Sequence, residues 1–153
     1  MKYKNYTLGF TFEVDDKFTE VKQDRYDAFN VQPSTLHYFI ALDDEGEISE
    51  VLSITKDEPC KDDEEFKERV DFNIKILKEY GYLLFSQEEI DADGRPVQRL
   101  IFQDTNIEQD LGLCMYFARV NNEVICSAVY ILEDYDDREQ SMLNMYKSIK
   151  EMD

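Results

Sequence analysis

Tryptophan is absent from the 153 residues, histidine occurs once, and there are only three cysteines, three prolines and five glycines. A single histidine excludes a His-rich metal site. It also leaves His37 as the residue through which any Ser/His/Asp or Cys/His mechanism would have to run. Cys60, Cys114 and Cys126 are an odd, sparse set without C-x-x-C spacing. They read as reduced, buried thiols rather than a disulfide framework, a redox pair or a zinc site. Positive charge is scarce: 17 Lys+Arg stand against 35 Asp+Glu, a formal net charge of −18. A protein that grips phosphates presents cations in a patch, so no nucleic acid is expected as a partner. Docking on anionic membrane surfaces is disfavoured for the same reason. No apolar run approaches the roughly 20 residues of a spanning helix, so no membrane insertion is expected. The start, Met1 to Phe10, has two lysines but no apolar core of signal-peptide length. The expected compartment is the cytoplasm, or outside it if a leader has been removed. No G-x-S-x-G, G-x-G-x-x-G or P-loop pattern occurs, and no cofactor is expected. There is no internal repeat, low-complexity tract or linker, so residues 1–153 read as one domain.

What is present is apolar residues in regular patterns: 42% hydrophobic and 13% aromatic, enough for one sizeable core. Tyr6, Leu8, Phe10, Phe12 and Val14 alternate with Thr7, Gly9, Thr11 and Glu13. This period of two predicts a strand with one buried face, and Gly9 within it marks a bulge or close packing. In residues 15–30, Val21 and the stretch 26–29 read as short or edge strands. Gln32-Pro33-Ser34 is a break. Residues 36–42 are apolar on both faces, as in a central strand. Residues 43–47 form a hairpin turn with Gly46 at positive φ, and residues 48–55 return.

Residues 62–80 predict a helix. Asp62 or Asp63 caps it, Glu64 and Glu65 suit its positive end, and Phe66, Val70, Ile74 (or Asn73), Leu77 and Tyr80 form its stripe. Gly81 follows as the C′ glycine. Residues 82–89 and 96–104 are strands joined by a turn at 91–94. Residues 111–120 and 123–132 flank Asn121-Asn122, a pair that tolerates the positive φ angles of a type I′ turn. The register then sets Val120 opposite Glu123, Ala118 opposite Ile125 and Tyr116 opposite Ser127. One face carries Cys114, Tyr116, Ala118, Val120, Ile125, Val129 and Ile131. The other carries Leu113, Met115, Phe117, Val124, Cys126, Ala128, Tyr130 and Leu132. Both faces are apolar, so both must be covered, and Cys114 and Cys126 fall on opposite sides, which forbids a bridge. The last helix spans 137–151, opened by Asp136 with Glu139 as a capping box, with Met142, Met145, Tyr146 and Ile149 as its stripe. The expected fold is α+β: a three-layer α/β/α sandwich, one mainly antiparallel sheet with helix 62–80 on one face and helix 137–151 on the other.

Few residues group into a chemical site. Glu89-Ile90-Asp91-Ala92-Asp93-Gly94 mimics the first half of an EF-hand loop, but Leu100 stands where a bidentate Glu is required. A plain turn is expected there, with Glu89, Asp91 and Asp93 at most weak cation candidates. His37 is read as a packed sheet residue. The carboxylate pairs lie at element ends and suit turns and caps. Tyr3, Tyr26, Phe29 and Tyr135 fit no stripe and are interface candidates, since exposed aromatics favour interfaces.

The opening strand, the strand–turn–strand at 36–55, the helix ending in Tyr80-Gly81, the four strands and the closing helix together resemble the PsbP-like superfamily. Within it they resemble the bacterial DcrB-type proteins of unknown role. Where that family carries a proline-plus-tryptophan segment after the first strand, this chain has Asp15-Asp16-Lys17-Phe18. Members include a photosystem accessory protein and a factor acting on a Ran-type GTPase. The resemblance implies a binding or assembly module and no enzyme. The expected function is therefore non-enzymatic binding of another protein, one carrying positive charge if the −18 is used. The alternatives are an acidic immunity-type inhibitor of a cationic toxin, or nucleic-acid mimic, and a carrier of a small apolar ligand.

Overall fold

The computed structural model describes residues 1–105, 112–131 and 135–152, with Ile131 and Tyr135 described as backbone only. The order is β1 (Lys2–Asn5), β2 (Phe10–Glu13), β3 (Thr19–Glu20), a 3-10 segment (Gln23–Phe29), β4 (Thr35–Leu42), β5 (Ile48–Lys56) and α1 (Asp63–Glu79). Then follow β6 (Tyr82–Ala92), β7 (Arg95–Asp104), β8 (Gly112–Val120), β9 (Glu123–Ile131), α2 (Tyr135–Lys147) and β10 (Lys150–Glu151). Seven strands form one sheet in the order β3-β4-β5-β9-β8-β7-β6, and a second sheet has the order β1-β2-β10. All pairs are antiparallel.

The β8–β9 hairpin holds the molecule together, as its two apolar faces require. Asn121 and Asn122 take φ of 50° and 64°, both positive as a type I′ turn demands. The register pairs Val120 with Glu123, Ala118 with Ile125 and Tyr116 with Ser127. On one side Cys114, Tyr116, Ala118, Val120, Ile125 and Val129 are buried with Met142, Met145, Tyr146 and Ile149. On the other, Leu113, Phe117 and Val124 are buried with Phe66 and Val70 of α1 and with Leu100 and Phe102. Each face thus has its own helix, giving three layers. Ala128 and Tyr130 remain exposed on the α1 side, and Leu132 lies outside the described residues. The three cysteines are free thiols.

α1 forms where its end signals place it. Asp62 Oδ1 accepts from Glu65 N at 2.8 Å, and Gly81 takes φ of 94° beyond the last turn. Tyr80, counted in the buried stripe, is instead exposed at the C-cap position, one residue past the end of α1.

Three segments depart from the pattern. The opening strand is a hairpin, β1–turn–β2. Asn5 Oδ1 accepts from Leu8 N at 2.9 Å, Gly9 N donates to Asn5 O, and Gly9 takes φ of 73°. Tyr6 and Leu8 therefore lie in the turn, and Tyr6 is exposed. A Cβ on Gly9 would stand 3.0 Å from Asn121 Nδ2, the close approach expected of this glycine. Residues 26–29 belong to the 3-10 segment, not to a strand, and residues 19–20 form the short edge. β4 is next to that edge rather than central. Phe39 and Ala41 are buried on one face, while Tyr38 on the other is covered by Tyr26 and Phe29.

The final helix stops at Lys147. Ile149 keeps its buried place, but Lys150 and Glu151 pair with Thr11 and Phe10 of β2. Strand pairing satisfies the backbone groups that another helical turn would have used. The small sheet and α2 share the same side of the large sheet, so that layer is composite. The capping box is not formed: Asp136 lies inside α2, and Glu139 reaches into the sheet.

Candidate docking surface

Of the cation candidates, Asp93 lies in the β6–β7 turn, and Glu89 and Asp91 lie on β6 leading into it. Asp93 and Gly94 take φ of 55° and 91°, and Asp91 Oδ1 accepts from Gly94 N at 2.7 Å. Glu89 Oε1 accepts a long 3.5 Å bond from Gln98 Nε2. Among the described residues no group of three His, Cys, Asp or Glu side chains gathers to hold a metal ion.

His37 is packed, as its place in a strand suggested. Its ring meets Phe12 edge-on at 4.8 Å and stacks on Phe39 at 6.2 Å. Nδ1 lies 2.8 Å from Glu20 Oε2 and Nε2 3.1 Å from Asn5 Nδ2. The ring nitrogens face the Glu20 carboxylate on one side and the Asn5 amide on the other. Both nitrogens are thus engaged in tying β4 to β3 and to the β1–β2 turn. Burial raises the thiol pKa of Cys60, and burial, with Asp57 nearby, pushes Cys126 up to about 12. Both are protonated, weakly nucleophilic thiols near neutrality.

The buried polar groups fasten the layers to one another. Asp57 Oδ1 accepts from Arg69 Nε (2.9 Å) and Nη2 (2.7 Å), and its Oδ2 accepts from Asn73 Nδ2 (2.6 Å). Burial alone would raise the Asp57 pKa. The bonds from Arg69, the Glu58 amide and Asn73, with the Arg69 charge, outweigh it and hold the carboxyl below its usual value. On the other side, Glu139 Oε1 accepts from Arg99 Nε and from Tyr116 Oη, each at 2.5 Å. Burial pushes Tyr116, and likewise Tyr146 beside Ser127, far above the ordinary phenol value. A groove of about 710 Å³ at the β6–β7 and β8–β9 tips contains Arg95 and Arg119, but Arg119 is tied to Asp63 at 2.7 Å and Arg95 to Glu151 at 3.4 Å.

Among the described side chains, the aromatic interface candidates Tyr3, Tyr26 and Phe29 pack against other rings. Tyr3 stacks on Phe12 and sits edge-on to Phe39. Tyr26 is buried, and its ring and that of the half-buried Phe29 both face Tyr38. The side chain of Tyr135 lies outside the described residues. The large apolar residues left in water include a different group: Tyr80 at 70%, Leu83 at 50%, Phe85 at 79%, with Leu84, Phe72 and Tyr130. Four of these six span the end of α1 and the start of β6.

Sequence and pairing explain this exposure. Successive side chains of a strand point to opposite faces, so Leu83-Leu84-Phe85 would need cover on both. β6 is the last strand of the sheet, and among the described residues it has β7 on one side and no strand on the other. A register shift between Leu84 and Ser86 leaves Phe85 with no opposite residue on β7. Toward its other end β6 carries Glu88, Glu89 and Asp91, all exposed. The arrangement offers apolar side chains, an open backbone edge and a flanking acidic stretch. The signal was readable as three consecutive apolar residues with no assured cover, but periodicity alone does not say which strand lies at the edge.

No family model matches the chain, and no curated protein matches it. Solved structures do. The cyanobacterial PsbP (CyanoP) of Synechocystis sp. PCC 6803 is 14% identical with a TM-score of 0.61, covering 99% of this chain and 91% of its own. PA94, a protein of unknown function from Pseudomonas aeruginosa, is 13% identical with a TM-score of 0.51, covering 94% and 93%. The likeness runs through nearly the whole of each chain at an identity too low to carry residues across, and what it establishes is that this protein has a PsbP-like fold.

Proposed function

We propose that the chain is a non-enzymatic protein-binding module that docks through the free end of its large sheet. The observation that carries this reading is the exposure of Leu83, Leu84 and Phe85 on an edge strand, next to Tyr80. Contiguous apolar surface on a sheet edge invites association, and proteins usually cover, shorten or charge such an edge. The charge of −18 favours a cationic partner and speeds its approach. The acidic inhibitor reading is one form of the same docking, with the toxin as partner.

The test uses the wild-type chain and the Leu83→Ser/Phe85→Ser double variant as baits in an extract of the native host, with quantitative mass spectrometry. Matched circular dichroism secures the comparison. The expected result is at least one host protein held by the wild type and lost from the variant. Identical sets from both baits would overturn the proposed surface. Turnover of a substrate panel that His37→Ala abolishes would overturn the non-enzymatic reading.

A further inference from the structure

Resting on that reading, we infer that the occupant of the β6 edge is an extended polypeptide segment that joins the sheet as a further strand. Its apolar half lies along residues 82–85 and its basic half along Glu88, Glu89 and Asp91. The two ends of the large sheet differ sharply. At one end β3 is two residues long, a blunted edge. At the other, β6 runs for 11 residues, longer than most strands. It is held extended by pairing with β7 from Tyr82 to Ala92. Its outer edge is thus pre-organised, and a segment added there would lose little freedom on the protein's side.

Charge selects the kind of segment. Glu88 is tied to Arg99 at 2.7 Å, whereas among the described residues Glu89 has only the 3.5 Å contact with Gln98. An incoming strand would set its side chains beside these carboxylates, so lysine or arginine fits that half and an acidic residue is repelled. A second copy of this chain is a poor occupant, because each copy carries −18. Acidic residues on an edge also guard against aggregation. Here they cover the half from 88 to 91 and leave residues 83–85 bare, which a guard alone does not explain. In such strand addition the backbone supplies affinity, and the alternate side chains supply selectivity.

The probes are synthetic peptides of about ten residues. One has a Lys/Thr half followed by a Val/Thr half, a second reverses that order, and each has a counterpart N-methylated at alternate residues. Reversal covers both strand directions, and N-methylation removes backbone donors while keeping charge and apolar surface. Binding is read by titration calorimetry, with amide hydrogen exchange over residues 82–91. One peptide order should bind and protect those amides. Phe85→Thr and Glu89→Lys should each weaken it by about tenfold or more, and N-methylation should abolish it. Both residues are exposed on the strand, and circular dichroism checks that the variants fold. Binding by neither order overturns the inference, as does equal binding of the N-methylated peptide, which would mean charge attraction alone. A wild-type dimer that Phe85→Thr dissociates would also overturn it, by making a second copy the occupant. A host partner lost with Phe85 while no peptide binds would leave the docking reading standing and remove the added strand.

Discussion

Replacing Phe117 by alanine should cost about 4 kcal/mol of stability, while replacing Phe85 should cost less than about 1 kcal/mol. Both are phenylalanines on strands of one sheet, but Phe117 is 0% exposed and Phe85 79%. A buried phenylalanine removes about 150–250 Å² from water, which at ~25 cal/mol per Å² gives about 4–6 kcal/mol as an upper bound. Measured losses for Phe→Ala in cores, about 3–5 kcal/mol, include the cavity left behind. Phe117 packs in the cluster with Phe66, Val70, Leu100 and Val124, so the layer between α1 and the hairpin loses a fully buried ring. Only about a fifth of the Phe85 surface is covered, which scales its loss to under about 1 kcal/mol. Urea titration at fixed pH, with equal m-values, reads both differences. For a domain of this length 4 kcal/mol corresponds to about 8–16 °C in Tm. A Phe117→Ala cost below about 1 kcal/mol would refute the two-faced hairpin, since that face would then be open to solvent. A Phe85→Ala cost equal to it would refute the exposed edge.

Other tests follow from the buried groups. The folded pKa of Asp57 is held below the ordinary aspartate value by Arg69 and its other donors, so its contribution is present in full above that ordinary value and is lost as pH falls through the lower folded one. The stability gap between wild type and Asp57→Asn should therefore hold steady above the ordinary carboxylate range and narrow as the pH falls below it, and a gap that stays constant or widens in acid contradicts the Arg69 pairing. With Cys60 and Cys114 buried and Cys126 held up to about 12, a thiol reagent near neutrality should label none of the three in the native protein and all of them in urea. Rapid native labelling would show the sulfurs to be accessible. Asn121 combines positive φ with bonds from Nδ2 to Leu8 O (3.1 Å) and Gly9 O (2.6 Å). Asn121→Ala should cost about 1–3 kcal/mol, whereas Asn122→Gly should stay within about 0.5 kcal/mol. Equal losses in denaturation would mean that the turn does not depend on the contact with the first hairpin.

Much of the fold was legible because its signals are local. Asp62 before an apolar stripe, Gly81 after it, and Asn121-Asn122 between alternating runs each act over a few residues. The β8–β9 register followed from the turn, and the two faces followed from the register. Misreadings came where a local signal lay inside a regular pattern. Tyr6 and Leu8 fit the alternation of a strand, but the Asn5 side chain captures the Leu8 amide and turns the chain. Ile149 fits the helical stripe, yet the backbone there leaves α2 and runs on to pair with β2.

The exposed site could not be read in the same way. Tyr3 and Tyr26 fit no stripe, so their cover could not be read from periodicity, and Phe12, Phe39 and Tyr38 provide it. Residues 83–85 had the composition of a core strand and lie at the sheet's end. The amino-acid sequence by itself determined α1 and the long strands from β4 to β9, the central hairpin with its register, and the need for a helix on each of its faces. Tertiary structure alone decided which strand is last in the sheet, that the chain's two ends meet in β2 and β10, and which aromatic rings stay in water. Periodicity and turn chemistry act between neighbours along the chain, whereas exposure depends on what distant segments come to lie over a face.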